Sequence, residues 1–137
     1  MRIRRGTSPL SPDGKLVVGI QGRGKASLYP IEGGEARSIT GLDEADWPVQ
    51  WSADGRSLYV HRQPGIPNKI WLLDLASGKR SLFKEIQTGE PVVGLPLVLL
   101  TRDGKSYVYG APPHAFRAVC RRGPPLTQPD AFELSAC

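Results

Sequence analysis

Ser52-Ala53-Asp54-Gly55-Arg56, followed by Ser57-Leu58-Tyr59-Val60, is the stretch on which the fold turns. The same plan stands upstream as Ser11-Pro12-Asp13-Gly14-Lys15 ahead of Leu16-Val17-Val18-Gly19-Ile20. It returns downstream as Thr101-Arg102-Asp103-Gly104-Lys105 ahead of Ser106-Tyr107-Val108-Tyr109. Asp-Gly favours a tight hairpin turn, because glycine takes positive φ at no steric cost. Pro12 presets φ at the first corner of its turn. The apolar, β-rich runs behind the turns read as strands covered on their faces.

Asp13, Asp54 and Asp103 lie 41 and then 49 residues apart. A turn and strand recurring at about forty residues is the signature of a β-propeller blade. One blade cannot bury its own faces, so so few repeats predict a fragment or one part of an assembly. The chain divides into blades at about 8–45, 46–90 and 91–110. In the first, strands are expected over Lys15–Ile20, Ala26–Ile31 and Arg37–Thr40. In the second they are expected over Trp47–Ser52, Ser57–His61, Lys69–Leu75 and Lys79–Lys84. The third holds Pro91–Leu100 leading into Ser106–Tyr109, where the pattern stops. Pro112-Pro113 and Pro124-Pro125 break any strand beyond Gly110. The fold class is therefore all-β: about two and a half four-stranded antiparallel blades over residues 1–110, completed by homo-oligomerisation, with an atypical Pro-rich tail over 111–137.

Composition narrows the function classes. Of 137 residues, 16 are Gly and 13 Pro, with 39% hydrophobic, the balance of a turn-rich all-β chain. No run of 18 apolar residues exists, and the basic start Met1-Arg2-Ile3-Arg4-Arg5 lacks the apolar stretch of a secretory signal. The expected location is cytoplasmic as expressed, with no membrane partner. The net charge of +5 gathers at Arg2, Arg4, Arg5, Arg121 and Arg122 without interleaved aromatics, so no nucleic-acid partner is expected. Cys120 and Cys137 both fall in the tail, and the 119 residues before them hold no cysteine, which fits a reducing compartment or a fold that needs no staple.

The strings S-P-D-G-K, L-Y-P-I-E-G-G, W-S-A-D-G-R-S-L-Y-V and I-W-L-L-D-L-A-S-G-K resemble the TolB-type, WD-repeat-like propellers across residues 11–110. More narrowly, they are similar to the propeller that ends bacterial eukaryotic-like Ser/Thr protein kinases, whose last blade resembles Pro96–Gly110. No kinase motif is present: no phosphate loop with its strand lysine, no H-R-D and no D-F-G. The family ending is missing after Gly110. One permitted codon choice for Pro112–Gly123, read one base later, encodes R-R-T-L-S-E-L-Y-V-V-E-G, which matches that ending. The expectation is a tail translated out of frame from about Ala111, with Met1 an internal start in a longer gene.

Candidate chemistry is sparse. Cys120 lies beside Arg121 and Arg122, six residues after His114, and adjacent cations favour a thiolate. His61 is a third catalytic candidate. Asp43, Glu44 and Asp46 form an acidic loop whose carboxylates suit a hard cation, though without calcium-loop spacing. No metal and no cofactor is assigned. Asp46, Gln50, His61 and Arg62 are candidates for a ligand-binding rim. Gly22-Arg23-Gly24-Lys25 lacks the helix that would make it a phosphate site and reads as a hairpin turn. Trp47, Trp51 and Trp71 read as core, and Trp51 holds the place of Leu10 and Leu100 in the other repeats. The function expected is a non-catalytic interaction or scaffold module, a truncated piece of a kinase-linked sensor propeller. Its partners would be copies of itself, two or three in number, and a protein or peptide ligand. The alternative is a promiscuous ester or phosphoester hydrolase with a pocket at the oligomer centre.

Overall fold

The computed structural model describes residues 10–20, 25–62, 68–86, 97–103, 105–110 and 121–122. They form strands β1 (Leu16–Ile20), β2 (Ala26–Pro30), β3 (Arg37–Ser38), β4 (Asp46–Trp51), β5 (Ser57–Arg62), β6 (Asn68–Asp74), β7 (Arg80–Ile86), β8 (Leu97–Leu100), β9 (Ser106–Gly110) and β10 (Arg121–Arg122). No helix occurs among the described residues. Three antiparallel sheets result, in the orders β1-β2-β3, β4-β5-β6-β7 and β8-β9-β10. The middle sheet is a complete four-stranded meander. Leu10 adds an isolated bridge to Val17, in the place where Trp51 pairs Leu58 and Leu100 pairs Tyr107.

The repeated turn is built from one set of bonds. Ser52 Oγ donates to the Asp54 carboxylate (2.6 Å) and accepts the Ser57 N–H (2.9 Å), while the Arg56 N–H donates to Asp54 (3.0 Å). Ser11 with Asp13 and Thr101 with Asp103 repeat each of these. The hydroxyl and carboxylate thus satisfy the turn's free N–H groups, and Gly14 and Gly55 take φ of 73° and 70° to close it.

Alternation along the strands gives the middle sheet two buried faces. Trp51, Leu58, Val60 and Leu73 of the middle sheet pack on Val18, Ala26, Ile39 and Leu42. Its other face packs Val49, Tyr59, Ile70 and Ile86 on Val98 and Leu100 of the third sheet. Leu58, Val60, Ile70 and Leu73 are wholly buried. At about 25 cal/mol per Å² of apolar area, burying each such side chain contributes about 2 kcal/mol.

The structure corrects several expectations. Arg37–Ser38 is a shorter strand than Arg37–Thr40, because Ile39 leaves the ladder to fill the first core. Trp51 is core, whereas Trp47 and Trp71 are only half-buried. A strand does occur beyond Gly110. Arg122 and Arg121 pair with Ser106 and Tyr107, in the register by which Asp74 and Leu73 pair with Ser57 and Leu58. A ladder needs backbone N–H and C=O groups, and the missing apolar alternation does not forbid it. The remainder of the tail lies outside the described residues, as does the turn over 22–24.

Candidate functional site

The acidic loop is where the charged side chains converge. The chain leaves β3, passes Gly41 and enters β4 at Asp46, whose side chain is fully buried. Arg62 ends β5, and its Nε donates to Asp46 Oδ1 at 3.1 Å, while its Nη2 reaches Asp43. Arg80, opening β7, donates to the other oxygen of Asp46 and, through Nε, to the Gly41 carbonyl at 2.8 Å. The Asp43 N–H closes the set on Asp46 Oδ2 at 2.7 Å. Burial alone pushes the Asp46 carboxyl up, but Arg80, the Asp43 N–H and Arg62 together outweigh it and hold the group below the usual carboxylate range.

This arrangement clasps a crossing loop. Gly41 makes the close passage possible: its φ is 80°, and a Cβ there would stand 3.1 Å from Leu73 Cδ1 as well as striking the Gly78 carbonyl. Asp46 is therefore a buried ion-pair partner. Both its oxygens face guanidinium groups, which repel a cation. Glu44 is exposed and takes no part. No group of three potential metal ligands occurs among the described residues.

His61 is also unlike a strand-end surface residue. It is buried, with Trp47 edge-on at 6.3 Å between ring centroids. Burial lowers its pKa, against the opposing effects of Asn68 and Asp46, so the ring is held neutral. Its Nδ1 and the Oδ1 of buried Asn68 lack hydrogen-bond partners among the described residues. Gln50 points elsewhere: its Nε2 donates to the Thr101 carbonyl in the third sheet at 3.2 Å, tying two sheets together. The candidates thus divide: Asp46 and Arg62 form one cluster, His61 packs beside it, and Gln50 bridges a seam. Cys120 and His114 lie outside the described residues.

Arg80, Gly41 and Asn68 were missed by sequence reasoning. Arg80 is 34 residues from the carboxylate it binds, with no motif linking them. Lys84 was missed too: it is buried, with its Nζ 5.1 Å from the Tyr107 ring centroid and 5.5 Å from that of Phe83. A shallow cleft of about 300 Å³ separates the first two turns, between Pro12, Asp13, Trp51 and Asp54. Each carboxylate there is already engaged by its own turn.

No family model and no curated protein matches the chain. Among solved structures it is similar to TolB from Acinetobacter baumannii, with a TM-score of 0.51 at 18% identity, over 82% of this chain and 30% of that one. The fold is that of a β-propeller. Each sheet is a blade, and the chain spans less than a third of the TolB chain it matches. At that identity the likeness concerns the fold alone, and the charged cluster has to be read from its own geometry.

Proposed function

We propose that this chain is a non-catalytic, propeller-type interaction module, a piece of a larger kinase-linked sensor propeller that self-assembles when it stands alone. The observation that carries the reading is the use made of the charged groups. The carboxylate best placed for chemistry, Asp46, is consumed by two arginines that hold an inter-blade connection. The nearest base, His61, is walled in by Trp47. What the blades offer a partner is sheet surface and edges, the features propellers use for recognition. The out-of-frame origin of residues 111–137 belongs to the same reading: a blade that lost its own third strand is closed in part by whatever backbone follows.

The test is capture. A tagged copy of the chain is co-expressed with the polypeptide encoded immediately upstream of Met1. A stoichiometric complex supports the module; an upstream segment without blade repeats, or no complex, removes it. A parallel assay on ester and phosphoester substrates decides the enzymatic alternative, since turnover abolished by His61→Ala would contradict a non-catalytic role.

A further inference from the structure

We propose that copies of this chain join head to tail, the outer face of the first blade in one copy packing against the outer face of the third blade in the next. The proposal rests on the self-assembling reading above and specifies its seam. Within the chain, each blade presents one face to the blade before it, and the register defines that face. In the middle blade it comprises Trp51, Leu58, Leu73 and Leu75: Trp51 pairs Leu58, Leu58 pairs Leu73, and the Leu75 N–H donates to the Arg56 carbonyl. In the first blade the same bonds select Leu10, Val17, Tyr29 and Ile31: Leu10 bridges Val17, Val17 pairs Tyr29, and the Ile31 N–H donates to the Lys15 carbonyl.

The two faces share chemistry and differ in cover. Trp51 is 4% exposed and Leu73 not at all, because the first blade lies on them. Leu10 is 46% exposed and Ile31 53%. Large apolar side chains held open at positions the fold otherwise buries mark an interaction surface. The complementary face is that of a blade looking forward. The position that reaches forward from the middle blade is Gln50, which bonds the Thr101 carbonyl of the next turn. Its counterpart one place before Leu100 is Leu99, an apolar side chain 42% exposed on the third blade. Repeating the same blade-to-blade step therefore brings Leu99 of one copy to the Leu10 turn of another. This is a heterologous contact, which closes into a ring when the rotation permits.

The experiment uses the full chain and two surface variants, Ile31→Arg on the first blade and Leu99→Arg on the third. Both sites are exposed, so folding is checked simply by an unchanged circular dichroism spectrum. Sedimentation of the unaltered chain is expected to give a multiple of the 14.9 kDa protomer mass. Each variant alone is expected to sediment as a monomer. Mixed, they retain one intact seam per pair and are expected to form a 1:1 dimer. An unaltered chain that is monomeric at micromolar concentration, as when further blades of the same polypeptide are the true cover, overturns both the seam and self-assembly. If one variant alone remains a dimer and mixing yields nothing new, the seam is a face pairing with itself. Self-assembly then stands and the head-to-tail contact falls.

Discussion

Replacing Asp46 by Asn tests whether the buried carboxylate is a clasp. The change preserves shape and removes charge. Asp46 accepts from Arg62 Nε, Arg80 Nη2 and the Asp43 N–H. An amide oxygen in the Oδ2 place keeps the bonds from Arg80 and the Asp43 N–H, but its NH₂ group then faces the Arg62 guanidinium. Breaking a buried ion pair costs roughly 3–5 kcal/mol when the surviving charge stays buried. Here the surviving side chains are 50% exposed for Arg62 and 22% for Arg80, so water recovers part of the loss. A hydrogen bond to a charged group contributes about 1.5–3 kcal/mol, and the expected cost is therefore about 2 kcal/mol. That corresponds to a drop in Tm of about 7 °C for a domain of this size. Urea unfolding followed by tryptophan fluorescence, at fixed protomer concentration, measures it. The pH dependence supplies an independent check. The native pKa of Asp46 lies below its unfolded value of 3.8, so its contribution is present above that value and is lost as pH falls through the native one. The acid limb of the stability curve should be flatter in Asp46→Asn. A loss under about 0.5 kcal/mol, the scale of an ordinary surface change, would refute the clasp.

Three further outcomes follow from the same geometry. His61 is kept neutral by burial, its native pKa lying below 6.5, so stability should decline as pH falls from about 6.5 toward the native value. His61→Phe should flatten that slope between pH 7 and 5, as read by thermal melts. Gly41→Ala adds a Cβ that meets the Gly78 carbonyl at a φ of 80°, whereas Gly14→Ala at φ 73° meets nothing within 4 Å. Chemical denaturation should show about 1 kcal/mol lost at Gly14 and at least 1 kcal/mol more at Gly41, the excess being the cost of the close approach. Ser52→Ala removes the hydroxyl that donates to Asp54 and accepts from Ser57, for a loss of about 1–2 kcal/mol. Ser52→Thr should stay within about 0.5 kcal/mol, because Thr101 already makes these bonds in the third turn.

Much of the fold was legible because its information is local. The three Asp-Gly turns carry their own hydroxyl and carboxylate partners within five residues, so a short string suffices to place them. The runs behind them alternate at the period of a strand, and β5 and β6 fall within a residue of their expected bounds. The site was much less legible. Asp43, Glu44 and Asp46 read as one acidic group, yet Asp46 is inside, Asp43 is shared with an arginine, and Glu44 faces water. Nothing local distinguishes them, because the partner that draws Asp46 inward, Arg80, arrives only when β7 folds back along β6. The burial of His61 is hidden from the sequence in the same way, because Trp47 and Asn68 come beside it only in the folded sheet.

The repeats also differ among themselves in a way that tracks cover. At one position of the repeat the residues are Leu10, Trp51 and Leu100, with exposures of 46%, 4% and 8%. Trp51 fills the wedge between two blades that the chain itself supplies. Leu100 is buried in turn because the middle blade precedes it. Leu10 has the equivalent backbone partner and the same kind of side chain, and no described blade lies on it. Position in the repeat thus determines which face a side chain takes, and order along the stack determines whether that face is wet. Leu10→Glu should therefore lower the sedimenting mass while leaving the circular dichroism spectrum unchanged, because the wet face of one copy is the dry seam of an assembly. An unchanged mass would show that the exposure persists in solution and would remove Leu10 from the seam.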